Sequence, residues 1–76
     1  MLIHISVSFH PAGSFRAITD KAFYCLTVIR DGAVAHIELC TTAEIQRARQ
    51  DQIDYWTDRA PGVDQVTSDA IPEEHA

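Results

Sequence analysis

Apolar and polar residues alternate along LIHISVSF, residues 2 to 9, with Ile3, Ile5, Val7 and Phe9 on one parity and His4, Ser6 and Ser8 on the other. A period of two sustained over eight residues predicts a half-buried strand. HPAGS, residues 10 to 14, reads as a turn or loop, since Pro11 fixes its own φ and Gly13 tolerates conformations that other residues avoid. FRAITDK, residues 15 to 21, has no clear period and is read as a connection with Phe15 or Ile18 pointing inward.

In AFYCLTVIRDGAVAHIELC, residues 22 to 40, two apolar runs meet at Asp31-Gly32, a pair suited to a two-residue type I′ turn because both central positions need positive φ. Counting outward from that turn, Arg30 opposes Ala33, Val28 opposes Ala35, Leu26 opposes Ile37 and Tyr24 opposes Leu39 on one face. The other face then holds Thr27 with His36, Cys25 with Glu38 and Phe23 with Cys40, and Ile29 and Val34 lie near the turn.

CTTAEIQRARQDQIDYWTDRAPG, residues 40 to 62, has the marks of an amphipathic helix. Thr41 and Glu44 have capping-box spacing, and Cys40 is placed to staple onto Ile45. At 100° per residue, Ile45, Ala48, Ile53, Tyr55, Trp56 and Ala60 fall in one arc, with Arg49 and Gln52 covering the core edge with their stems. Gln46, Arg47, Gln50, Asp51, Asp54, Thr57 and Asp58 take the opposite arc, and Pro61-Gly62 stops the helix. In the remaining VDQVTSDAIPEEHA only Val63, Val66 and Ile71 are apolar and unperiodic, which leaves room for one short edge strand or turn before the chain frays.

The expected architecture is α+β in the order β-β-β-α: a three-stranded antiparallel sheet, four-stranded if the tail adds an edge, with one C-terminal amphipathic helix on one face. Residues 1–62 form the compact domain and residues 63–76 an acidic tail ordered in part at most. The core gathers Ile3, Ile5, Leu26, Ile37 and Trp56. The first strand lies beside residues 22 to 29, which makes the second strand of the hairpin an edge.

Composition narrows this picture. Seventy-six residues supply one core, and an apolar fraction of 46 % excludes a chain disordered throughout. A chain of this size buries roughly 60 % of its unfolded surface, so association can matter to its stability. Cys25 and Cys40 are the only cysteines; in strand-like segments they read as small buried hydrophobes rather than a disulfide. MLIHISVSFH lacks the basic head and apolar run of a signal peptide, and no stretch nears the ~20 apolar residues of a membrane helix. The expectation is a cytoplasmic protein with no membrane contact.

The net charge of −5 is unevenly spread. Residues 1–50 carry five basic against four acidic side chains, a balance of +1, whereas residues 51–76 carry seven acids against Arg59 alone, a balance of −6. Direct grip on a phosphate backbone needs clustered Lys and Arg, so no nucleic-acid contact is expected, and a protein with a basic surface is the better partner.

Chemistry is sparsely represented. His4, Cys25, His36 and Glu38 are of ligand type, but none has the close spacing of a structural zinc site. Ser6, Ser8, Ser14, His10 and Asp20 supply the letters of a hydrolase triad without a Gly-x-Ser-x-Gly elbow, and Gly13 and Gly32 stand apart from any phosphate-binding loop. No enzyme activity, cofactor or metal is expected.

Two surfaces remain as protein-binding candidates. Asp51, Asp54 and Asp58 line the back of the helix; Asp54 and Asp58 are like charges at i,i+4, and acids late in a helix oppose its dipole, so function rather than stability would favour them. Tyr55 lies at the margin of that arc, while Trp56 reads as core. Phe23, Ile29 and Val34 would form an apolar patch on the outer sheet face, and the open edge could pair with another chain, giving a homodimer.

In size, acidity and expected architecture the chain looks like the small acidic inhibitors that phages and other mobile elements encode against host CRISPR or restriction systems. That resemblance includes no motif and carries over no residue; it implies a protein that occupies the basic channel of a nucleic-acid-processing complex. The alternative is a self-associating structural or antitoxin-like regulatory subunit that dimerises through its sheet, and the third is a small metal-binding domain.

Overall fold

The computed structural model describes residues 1–13, 21–59 and 61–72. Its elements run β1 (Leu2–His10), β2 (Phe23–Arg30), β3 (Ala33–Cys40), α1 (Ile45–Thr57) and β4 (Gln65–Ser68). Phe15 and Ile18, one or the other expected to point inward, Ala60 of the expected inner arc, and residues 73–76 lie outside the described residues.

The α+β class holds, with two corrections. The sheet is four-stranded in the order β3-β2-β1-β4, and β4 runs parallel to β1, so it is mixed rather than purely antiparallel. The helix is mid-chain rather than C-terminal, because β4 follows it. Both differences have one cause. β3 and β1 each run antiparallel to β2, so β3 and β4 point the same way from opposite edges of the sheet. Parallel strands need a crossover, and α1 supplies it by passing over the strands between them. The first strand does lie beside β2, and β3 is an edge.

The Asp31-Gly32 turn forms as its chemistry requires, with φ of 50° at Asp31 and 85° at Gly32. A Cβ at Gly32 would meet nothing within 4 Å, so the preference for glycine there lies in the backbone conformation and not in lack of space. Asp31 tolerates the left-handed region and also ties the turn to β1: its Oδ1 accepts the Leu2 N–H at 2.7 Å, and its own N–H donates to the Leu2 carbonyl at 2.9 Å.

Beyond the turn the hairpin departs from simple counting. Arg30 pairs with Ala33 and Ile29 with Val34, but Val28 then pairs with His36, leaving Ala35 as the extra residue of a β-bulge. Every later pair is displaced by one: Thr27 faces Ile37, Leu26 faces Glu38, Cys25 faces Leu39 and Tyr24 faces Cys40. Since side chains alternate in direction, one added residue exchanges the two faces. Ile37 and Leu39 therefore point away from the helix, and His36, Glu38 and Cys40 point toward its side, the reverse of the unbulged register. Ile37 leaves the core in consequence and is 60 % exposed.

The helix begins at Ile45, with Glu44 as N-cap and no side-chain cap bond. Half of the expected capping box survives as Thr41 N–H donating to Glu44 Oε1 at 3.2 Å, while the Thr41 carbonyl accepts the Glu44 and Ile45 amides in a preceding turn. Hydrogen bonding from Thr41, first its side chain and then its backbone, holds the exposed Glu44 carboxyl below its ordinary pKa. The helix closes at Thr57, short of Pro61; Asp58 N–H still reaches Asp54 O, and Gly62 N–H then closes a tight turn on Arg59 O.

Between helix and sheet lie Ile3, Ile5, Val7, Tyr24, Leu26, Val28, Cys40, Ile45 and Val63, all buried, with Ala48, Ile53 and Trp56 half-buried against them. Residues 63–72 join this fold through Val63 and β4. That short strand has one apolar residue in the sheet, Val66, and is held instead by polar contacts. His4 Nδ1 lies 2.8 Å from Thr67 Oγ1 and Nε2 lies 3.1 Å from Asp69 Oδ1; Asp69 Oδ2 accepts the Val7 N–H at 3.3 Å, and Asp69 N–H donates to Ile5 O at 2.8 Å. Arg49 reaches from the helix to donate through Nε to Ser68 Oγ and Asp69 O, both at 2.8 Å, and the Tyr24 hydroxyl donates to Pro72 O at 2.9 Å.

Candidate protein-interaction surfaces

β3 is the least covered element of the sheet. Of its eight residues only Cys40 is buried, whereas Val34 is 61 % exposed, Ile37 60 % and Leu39 53 %. Three facts of the chain produce this. Edge position leaves one side of β3 without a strand neighbour among the described residues. The bulge at Ala35 turns Ile37 and Leu39 to the outer face, where Val34 already lies through its pairing with Ile29. The helix makes its main contacts with β1, β2 and β4, so on the inner side β3 borders an open groove lined by Arg30, Ala35, His36, Gln52, Tyr55 and Trp56.

An exposed edge strand with three large apolar residues on one face is a template for another strand, because its outward amides and carbonyls lack partners within the sheet. On the inner face His36 Nε2 stands 3.7 Å from Glu38 Oε1, a loose pair half open to solvent. Cys40 anchors the end of the strand. Burial, and then the nearby carboxylates of Glu38 and Glu44, push its thiol up from 9.0 to about 11, so it is a packed thiol and no nucleophile at neutral pH. Cys25, partly exposed on the outer face, is also free, so the two cysteines are not joined.

Of the outer-face candidates, Val34 is exposed but Phe23 is buried, its ring stacked 5.0 Å from that of His10. Leu2, 55 % exposed, and half-buried Ile29 extend the apolar surface at the turn end of the sheet. Pairing across the hairpin could not reveal the stacking of His10 on Phe23, which comes from the neighbouring strand β1. Val34 was legible because it precedes the bulge.

The acidic candidates share the exposed back of α1. Asp51, Asp54 and Asp58 are all exposed. Arg47 Nε approaches Asp51 Oδ2 at 4.0 Å and Gln50 Nε2 donates to Asp54 Oδ1 at 2.9 Å, so two of the three have a local partner. The Arg59 guanidinium lies 3.3 Å from the centroid of the Tyr55 ring, which places a cation on the same end of the helix. Tyr55 is 47 % exposed and packs edge-on against Trp56, whose Nε1 donates to Gln52 Oε1 at 3.2 Å.

The possible chemical groups do not converge. The bulge sends His36 and Glu38 to one side of the sheet while His4 and Cys25 lie on the other, and among the described residues no three His, Cys, Asp or Glu side chains group as metal ligands. Ser8 Oγ lies 3.1 Å from His10 Nε2, but Ser14 and Asp20 are outside the described residues. His4, Thr67 and Asp69 form a tighter polar cluster than any foreseen, yet Thr67 Oγ1 also donates to Ile3 O at 3.3 Å, so the cluster serves to fasten β4. Among the described residues no helix is long and apolar enough to cross a membrane. Comparison of the chain with protein-family models, curated proteins and solved structures finds no match.

Proposed function

We propose that this protein acts by binding another polypeptide and that β3 is its contact strand. The observation that carries the reading is a full-length edge strand with one buried residue and with Val34, Ile37 and Leu39 exposed on one face. Strand addition along such an edge draws affinity from main-chain hydrogen bonds and selectivity from alternate side chains, which suits a chain too small for much of a substrate cleft. No catalytic step, metal or cofactor enters this reading.

A second reading uses the helix. Asp51, Asp54 and Asp58 are exposed together at the start of the acid-rich part of the chain, and such a face fits the basic channel of a nucleic-acid-processing protein, which it would block as an inhibitor. The two readings separate in one experiment. The tagged chain is used to capture partners from nuclease-treated host lysate at two salt concentrations, beside Ile37→Lys and the triple variant D51K/D54K/D58K. Loss of capture with Ile37→Lys and its retention in the triple variant is the expected result. The opposite pattern, with capture weakened by salt, would move the function to the helix.

A further inference from the structure

We infer that the strand that completes β3 is a second copy of this chain, paired antiparallel with it about a two-fold axis through Ile37. The inference rests on β3 being the contact strand and adds the identity of the occupant. A symmetric pairing brings the same patch of both copies together, so the patch must complement itself, and β3 does so in one register.

With Ile37 opposite Ile37 of the second copy, His36 faces the partner's Glu38 and Glu38 faces the partner's His36. The register thus sets two cross-strand pairs of complementary groups on the inner face and an Ile–Ile pair, flanked by Leu39, on the outer face. The adjacent registers fail for separate reasons. Shifting the axis to Glu38 sets two carboxylates directly opposite each other, which destabilises a sheet. Shifting it to His36 sets Glu38 opposite Val34, which lie on different faces because of the bulge at Ala35, two residues from the axis; about Ile37 the central pairs of residues 36 to 38 stay in phase and the same mismatch arises only farther out, where Cys40 meets Val34. Of these three registers, charge and bulge together favour the one about Ile37.

The rest of the molecule leaves room for this pairing. Among the described residues the β3 edge has no strand beside it and α1 packs mainly over β1, β2 and β4, so two four-stranded sheets can become one of eight, with Asp51 of the helix bordering the joint near Glu38, Leu39 and Cys40. One strand edge makes a small interface, at the weak end of specific association, so the dimer should be concentration-dependent.

The test is sedimentation equilibrium of the full chain over a dilution series, with circular dichroism confirming that every variant is folded. His36 is exposed and Glu38 half-buried, and neither belongs to the core, so folding is not at risk. The wild type is expected to pass from dimer to monomer on dilution. His36→Glu places a carboxylate against the partner's Glu38 on both sides of the axis and should weaken association by about tenfold. The exchange H36E/E38H restores the pairs and should return association to near the wild-type value.

A folded wild type that stays monomeric at every concentration overturns the inference. So does a dimer indifferent to His36→Glu, or one the exchange fails to restore. If the wild type is monomeric while Ile37→Lys still abolishes capture from lysate, the second copy falls and β3 stands as the contact strand. If capture also survives Ile37→Lys, both fall.

Discussion

β1 and β3 are strands of nearly equal length in one sheet, both carry three or more large apolar residues, and they meet opposite fates. β1 buries Ile3, Ile5 and Val7 between two strand neighbours and beneath the helix, whereas β3 buries only Cys40 and shows Val34, Ile37 and Leu39 to solvent. Apolar content therefore does not decide what a residue contributes here; position in the sheet and the phase of the side chain do. β1 holds the fold together, and β3 is held by it and left with exposed apolar surface.

The sharpest test of that contrast removes the same side chain from each strand. Ile5 is fully enclosed, so Ile5→Ala should cost about 3–4 kcal/mol through lost burial and the cavity left behind. For a domain of this size that approaches the whole stability, which is on the order of 4–11 kcal/mol. Ile37→Ala removes an exposed side chain and should cost under about 0.5 kcal/mol in the monomer. Urea denaturation at low protein concentration measures both. Equal costs would mean that β3 is buried in solution, and a concentration-dependent cost at Ile37 would locate its cover in a second copy.

The same contrast shows where the sequence could be read. β1 declared itself through a period of two because its pairing is regular along its whole length. The β2–β3 turn was legible because Asp31-Gly32 meets a local backbone demand. The bulge at Ala35 was hidden, since no residue there forces it; its visible consequence is to bring Cys40 inward, into the core that Ile45 also enters. β4 was faint for a related reason. QVTS has too few apolar residues to announce a strand, and it and the adjoining Asp69 are fastened by His4 and Arg49, which lie 19 to 65 positions away in the chain. Val34 and Tyr55 could be placed at the surface from pattern alone, whereas the burial of Phe23, whose ring stacks on His10 of another strand, could not.

Cys40 gives the contrast a pH signature, as the one point where β3 enters the core. Its thiol is pushed up from 9.0 to about 11, chiefly by burial, so the folded state holds the proton more tightly than the unfolded chain does. Stability from this group is complete below pH 9 and falls as pH rises toward 11, by up to about 2–3 kcal/mol in all. Denaturation midpoints across that window should fall more steeply for the wild type than for Cys40→Val, which keeps an apolar side chain and removes the proton. Parallel slopes would mean that the end of β3 is open to water.

The smallest effect expected is also the most direct check on the face exchange. In the bulged register Cys25 lies opposite Leu39, whereas without the bulge it would lie opposite Glu38. Directly opposed strand residues have the separation a disulfide spans, and a residue one position along points to the other face. In a Cys40→Val background, Leu39→Cys should therefore oxidise to a link with Cys25, and Glu38→Cys should not, as read by peptide mapping under non-reducing conditions. Neither substitution touches the core, so stability before oxidation should change by less than about 0.5 kcal/mol. A link from position 38 instead of 39 would place Ile37 and Leu39 beneath the helix, give β3 the same buried character as β1, and remove the apolar surface on which the proposal of a contact strand depends.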